Sequence, residues 1–474
     1  MHVGKILPNK NKVLWGLLVF FLLGALLGLT IFALRKSKAA STAISNCTQL
    51  QEMSLDLAAD YVVTQSFSCS DIANFSPIGT KENPFTGSFD GGNYEISNLT
   101  IDRPDANNVG LFGYVGGSSK ISNVKLVNVN VTGRYQVGGL VGLNHTGTIT
   151  NCSSTGSVTG SSCVGGLVGL NGATTIANSY ATGDVVAAGA EAGGLAGESC
   201  GPVINSYATG NVVGDHYVGG LAGLTTYHGD ITNSYATGNV TGTEEVGGLV
   251  GESTGLITNS YATGNVTGTE EVGGLVGDNS EPIINSYATG NVVGDDYVGG
   301  LAGYNSEPIT NSYASGSVTG TEEVGGLVGS SYKSNITNSY ASGSVTGNSD
   351  VGGLVGRGYN DTVTNAYWDK ETTGQEHSAG SDDSYGKTTA EMKTQSTYEP
   401  GEPNNWDFTT IWAIVCSKNK GYPYLRWQTL PLHPCDGVSE DKITTTENAI
   451  TATSTPAVDT ATAPTVTILP KTGK

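Results

Sequence analysis

An all-β solenoid of stacked parallel coils is the fold this sequence predicts, and three observations predict it. First, the stretch Asn233–Gly251 recurs letter for letter as Asn259–Gly277, with close variants beginning at Asn178, Asn205, Asn285, Asn311 and Asn338. Second, a Gly-Gly-Leu triplet starts at residues 138, 165, 193, 219, 247, 273, 299, 325 and 352, spacings of 26 to 28 residues, and a degenerate copy, Val109–Gly113, precedes them. A fixed period of this size marks a body whose units bury their apolar faces only by stacking on neighbours. Third, no unit holds an apolar i, i+3, i+4 stripe ten residues long, while Val, Ile and Thr favour strands and Gly marks corners. A coil of about 26 residues then suits three short strands plus turns, and about eleven coils at roughly 4.8 Å each give a rod on the order of 50 Å long.

Composition agrees and narrows the function. Of 474 residues 69 are glycine, without a collagen triplet, which fits a turn-rich β structure because glycine supplies positive φ cheaply. The net charge of -20, with Lys333 the sole basic residue between Arg134 and Arg357, excludes a phosphate-binding stripe and so nucleic acid as a partner.

Taken in order, residues 1–12 are a basic N-terminus carrying Lys5, Lys10 and Lys12. Residues 13–34 hold no charge and are long enough to span a bilayer as a helix. Arg35, Lys36 and Lys38 follow, so the flanking charge is nearly symmetric. Two readings stay open, an uncleaved membrane anchor or a long signal peptide cut near Ala39 or Ala40; both export everything downstream. Residues 46–110 read as an N-terminal cap with the first coils. Leu50, Met53 and Leu57 fall at helical spacing within 46–60, and Tyr61–Val63 and Ile96–Ile101 read as strands. A helix laid across the first coil would cover its open sheet edge. Residues 111–368 are the repeats proper. Residues 369–435 are rich in aromatics, and Thr388 to Glu391 reads as a capping box opening a short helix, so a compact cap on the far end of the rod is expected. Residues 436–474 form a Thr-, Ala- and Pro-rich stalk expected to be disordered.

The unit VGGLVG…I-x-N-S-Y-A-T-G-N-V-x-G resembles the GLUG repeat of bacterial surface proteins. The resemblance spans about residues 72–430 and includes the lead-in from Phe75 to Gly91 and the trailer from Ala366 to Leu425. It implies a right-handed parallel β-helix displayed on the cell surface, often in large adhesins, and implies no chemistry for the repeat itself. The C-terminal Leu469, Pro470, Lys471, Thr472 and Gly473 resemble the LPxTG signal that sortases cleave to attach proteins to the cell wall. The hydrophobic segment and basic tail that should follow are missing after Lys474, so either the sequence continues further or the motif is coincidental.

Seven cysteines fall in local groups, Cys47 with Cys69, Cys152 with Cys163, and Cys416 with Cys435, leaving Cys200 over. Near pairs in an exported protein read as disulfides, although a reduced buried cysteine fits any one of them nearly as well.

In a parallel stack, equivalent residues form columns. Asn233, Asn259, Asn285 and Asn311 belong to one such ladder and Tyr235, Tyr261, Tyr287 and Tyr313 to another. Stacked amides and rings gain contact along the axis, so both ladders read as structural. An aromatic strip for glycan or protein contact would need the tyrosines to point outward, and the turn at Asn leaves their direction open. A further column, Glu244, Glu270, Asp296 and Glu322, reads as a solvated acidic edge that discourages sideways aggregation. Its alternative use is weak calcium binding between coils. No other cofactor is expected.

Enzymatic chemistry is not expected. No His opens an HExxH, no GxSxG occurs, and His228 with Asp230 reads as a loop decoration. The carboxylates recur in copies instead of converging on one place. The functional expectation is an exported, surface-tethered stalk or adhesin that binds a cell-surface protein or glycan through an extended face. Its tether would be the membrane helix, or a sortase and the cell wall. The alternatives are a carbohydrate-binding or carbohydrate-cleaving β-helix and a pure spacer.

Overall fold

The computed structural model describes residues 41–401 and 403–428, and these form a parallel β-solenoid of about 11 turns with about 27 residues per coil. The predicted spanning segment 13–34, Cys435 and the stalk with Leu469–Gly473 lie outside the described residues. Among the described residues, no helix is long and apolar enough to cross a membrane.

Each coil visits four faces, which one repeat illustrates. Ile257–Thr258 adds to a thirteen-stranded sheet running from Thr42–Ile44 to Thr362–Thr364. Tyr261–Ala262 and Val266–Thr267 then form the tyrosine face. Glu270–Gly273 joins a nine-stranded sheet, and after the Gly-Gly corner Val276–Asn279 joins a ten-stranded sheet. All these pairings are parallel and join equivalent residues of successive coils, Ile231 to Ile257 to Ile283 for example. The inward residues Val266, Val272, Leu275, Val276, Ile283 and Ala288 are fully buried, so one continuous apolar core fills the rod. No single coil could bury that core alone.

Glycine acts here mainly by being small. A Cβ on Gly264 would lie 1.8 Å from the carbonyl oxygen of Gly238 in the preceding coil, so stacked corners leave no room for a side chain. The left-handed backbone is instead supplied by asparagine. Asn178, Asn205, Asn233, Asn259, Asn285 and Asn311 all have φ of 49 to 51°. Asparagine tolerates that region better than other side-chain-bearing residues.

The N-terminal end follows the expectation with a shift. Thr42–Ile44 already pairs with Asp60–Val63, so the solenoid begins before the expected cap. The helix is confined to Cys47–Glu52 plus a 3-10 turn at Met53–Leu55, capped by the Asn46 side chain. Leu50 and Met53 point into the end of the core, and a disulfide joins Cys47 to Cys69.

The C-terminal region departs from a simple end cap. The buried Trp368 indole closes the core, and the segment around Ser378 hydrogen-bonds the last coil, Gly353 donating to the His377 carbonyl and Ala379 to that of Val355. The Thr388–Glu391 capping box forms as read. The chain beyond it does not stay at the end but folds back along the tyrosine flank. There Met392, Tyr398, Trp406, Trp412, Tyr422 and Leu425 make a second core with Tyr287, Tyr313, Tyr340 and Tyr367. The physical reason is the direction of the tyrosines: they point outward, and the apolar rings need a cover.

Candidate functional site

The two ladders are continuous in space. Asn259 Nδ2 donates to Asn233 Oδ1 at 3.2 Å, Asn285 to Asn259 at 3.2 Å and Asn311 to Asn285 at 3.1 Å. Tyr235, Tyr261 and Tyr287 stack with ring centres 4.8 Å apart and planes within 7°, and Tyr313 follows at 5.0 Å. The αL turn at Asn259 breaks the strand alternation, so Ser260 points inward and Tyr261 outward. Because each ring covers the next, the ladder presents edges and hydroxyls, never open ring faces. It is a structural spine.

A serine ladder beside it escaped the sequence reading. Ser234 accepts from the amide of Ser206, Ser260 from that of Ser234, and Ser286 from that of Ser260. Each of these hydroxyls donates back to the carbonyl two residues earlier. Cys152 occupies the equivalent place, its amide donating to Ser179 Oγ at 3.1 Å, and its thiol is buried. That corrects the expected Cys152–Cys163 bridge. Both thiols are free, Cys152 in the serine column and Cys163 on the acidic edge described next. Burial pushes the Cys152 thiol up to about 12, and burial, then the neighbouring Glu191 and Glu198, raise that of Cys163. Cys416 is disulfide-bonded, and its expected partner Cys435 is outside the described residues.

The solvated acidic column is placed in register: Glu244 beside Glu270, Glu270 beside Asp296, and Asp296 beside Glu322. Three of the four are exposed. His216 stands at its head, 3.0 Å from Glu244 and 3.3 Å from Asp215.

One residue further on, the chemistry becomes denser. Cys163, Glu191, Tyr217, Glu245, Glu271, Tyr297, Glu323 and Asp350 all adopt φ of 49 to 54°, all but Glu191 inside a strand. The left-handed twist gives two successive outward residues, so this column leans toward the neighbouring ten-stranded sheet. The facing column there reads Glu198, Leu224, Glu252, Asp278, Tyr304, Ser330 and Arg357. Carboxylates from the two sheets meet half-buried, and single carboxylate oxygens of Glu245, Glu271 and Asp278 lie within 4.8 Å of one another.

Desolvation pushes the Glu245 carboxyl up to about 8, with Glu271 the next contributor. Burial, then Asp278, pushes Glu271 up to about 7. Burial, then Glu252, pushes Asp278 up to about 6, and burial raises Glu252. Like charges sharing a partly dry site cannot all ionise. Such oxygens suit a hard cation, and calcium would need further ligands from water or backbone to complete its six to eight. Among the described residues, the three carboxylates close enough to share one ion are Glu245, Glu271 and Asp278, while the calcium candidates Glu244, Glu270, Asp296 and Glu322 run in the adjacent column. Asp278 and Glu252 were missed because their column changes identity from coil to coil.

Toward the C-terminal end the edge opens into a cleft of about 370 Å³ lined by Glu271, Tyr297, Tyr304, Glu323, Arg357 and Tyr359 among others. Glu323 is only 4% exposed, and its Oε1 accepts from Arg357 Nη1 at 2.5 Å.

Comparison with known proteins matches the repeats to the GLUG motif at residues 133–159, 160–186, 214–241, 242–267, 294–319 and 320–346. Over 121 residues the chain is 39% identical to halomucin of Haloquadratum walsbyi, a match covering 24% of this chain and 1% of halomucin. Over 81 residues it is 38% identical to a protein provisionally named Gly-rich membrane protein of Evansella cellulosilytica, covering 17% of this chain and 9% of that protein. The chain thus spans a small part of the curated relatives it matches. A solved structure from Bacteroides ovatus, provisionally named an immunoglobulin A1 protease, aligns over 82% of this chain and 93% of that one at 19% identity, with a TM-score of 0.29 that carries no argument. The chain carries GLUG repeats on a parallel β-solenoid and is similar in part to proteins named as a mucin and as a membrane protein.

Proposed function

We propose that this protein is a surface-displayed stalk or adhesin that attaches to a neighbouring surface through its acidic, tyrosine-bearing edge. One observation carries the reading. The interior, Asn, Ser and Tyr columns repeat coil after coil, whereas the paired edge columns around Glu245 and Asp278 change identity at nearly every step. Repetition serves stacking; variation on a half-exposed seam serves recognition. The names of the partial relatives support a cell-surface setting, with the tether supplied by residues 13–34 or by the sorting motif at 469–473. The test displays the full chain on beads and measures adhesion to cells and to a glycan array, with charge reversal of Glu270 and Glu271 as the variant. Retention without turnover, lost on reversal, supports the reading; retention unchanged by reversal overturns it.

A second reading is favoured by the Glu245, Glu271 and Asp278 group. A carboxyl held protonated near neutral pH, close to a carboxylate, is the pairing glycoside cleavage uses. Release of reducing sugar by the full chain, abolished by Glu245→Gln, would establish this reading in place of the first.

A further inference from the structure

We propose that the cleft between Tyr297, Tyr304, Glu323 and Arg357 is a subsite for an amine-bearing sugar ring of a glycan. The inference rests on the attachment reading above and names the chemistry of its ligand.

Three features point to it. Glu323 is buried, one carboxylate oxygen is taken by Arg357, and the other, Oε2, has no hydrogen-bond partner. A buried oxygen left without a donor is costly, and an ammonium is the donor that meets a carboxylate most strongly. The lining sets Glu270 and Glu323, with a Glu271 partly protonated near neutral pH, against Arg357, so its net charge stays negative and an amine is drawn in. Finally, Tyr297 and Tyr304 stack on no other described aromatic ring, in contrast to the ladder tyrosines that cover each other. A half-buried tyrosine ring without an aromatic stacking partner offers a flat apolar surface to the C–H face of a sugar ring.

A lysine side chain would supply the amine without the flat, hydroxyl-bearing ring that two tyrosines unstacked on other aromatics suit, so the glycan is favoured over a basic peptide. The cleft volume of about 370 Å³ is within the range of small-ligand pockets.

The test uses the purified full chain and three probes: a fully deacetylated glucosamine hexamer, its N-acetylated counterpart, and hexalysine, with binding measured by calorimetry. The glucosamine hexamer should bind at least tenfold more tightly than either of the others. Tyr304→Ala and Glu323→Gln should each lower that binding about tenfold or more. Tyr297→Ala, a change at a partly exposed position, serves the same purpose should Glu323→Gln fold poorly. Equal binding of the acetylated hexamer, stronger binding of hexalysine, or indifference to Tyr297→Ala would each overturn the assignment. Cell adhesion without glucosamine binding sinks the subsite and leaves the attachment reading standing; glucosamine binding without adhesion does the reverse.

Discussion

Gln428 Nε2 donates to the Tyr313 hydroxyl at 2.8 Å across 115 residues of sequence. Tyr340 joins the same seam, donating to the Pro423 carbonyl at 2.7 Å and accepting from Asn419. The C-terminal region is thereby sewn to the side of the solenoid, over tyrosines that would otherwise stay wet.

That seam should be separable from the rod. Trp412→Ala empties the centre of the flanking core and should cost about 3–5 kcal/mol locally. Limited proteolysis would then cut within 386–428 while the repeat body persists. Trp412→Phe should cost distinctly less, because the buried indole N–H has no partner to lose. Co-operative loss of both parts in either variant would show that they unfold as one.

The half-buried carboxyls make stability fall as pH rises. Glu245 is pushed up to about 8 and Glu271 to about 7, so the folded chain holds protons that the unfolded chain releases at ordinary carboxylate values. Their contribution is therefore fully present below the unfolded values near 4.5 and is lost as pH climbs through 7 to 8. Melting should occur on the order of a few degrees higher at pH 5 than at pH 8. Glu245→Gln should flatten that slope, and an unchanged slope would show that the group titrates normally.

At the ladder, Asn259→Ala places alanine at φ 50° and removes an amide on both sides. The combined cost should be about 2–3 kcal/mol. Asn259→Gly keeps the left-handed turn and loses only the amides, so chemical denaturation should find it about 1 kcal/mol better than alanine. Equal losses would assign the whole effect to hydrogen bonding.

Non-reducing peptide mapping should recover Cys47 joined to Cys69, with Cys152 and Cys163 as separate thiols. In the native protein Cys152 should react with a thiol reagent orders of magnitude more slowly than after denaturation, since burial keeps it protonated.

The solenoid, its period and both ladders were legible because they repeat in sequence. What was not legible follows from single backbone angles and from packing across coils. Whether Tyr261 faces in or out depends on the left-handed turn at Asn259, which alternation alone does not supply. Glycine was read as a source of positive φ, yet Gly264 is required by a carbonyl 1.8 Å from where its Cβ would be. Cys152 and Cys163 looked like a local pair, although aligning Cys152 with Ser179 would have placed it in the serine column. The column through Glu252, Asp278 and Tyr304 changes residue type at each of those steps, so only the sheet register brings it opposite Glu245.

The amide ladder also has a direction, each asparagine from Asn205 to Asn311 donating toward its N-terminal neighbour. A coil can therefore be added or removed within the Asn205–Asn311 ladder in one orientation only, and the ladder ends it leaves behind are those it found. Deleting 26 residues from Asn259 to Ile284 would set Asn285 against Asn233 with the same serine, tyrosine and valine partners. Coil number can thus change while the asparagine, serine, tyrosine and valine columns keep their partners, whereas the edge around Glu245, Glu271 and Asp278 changes with it.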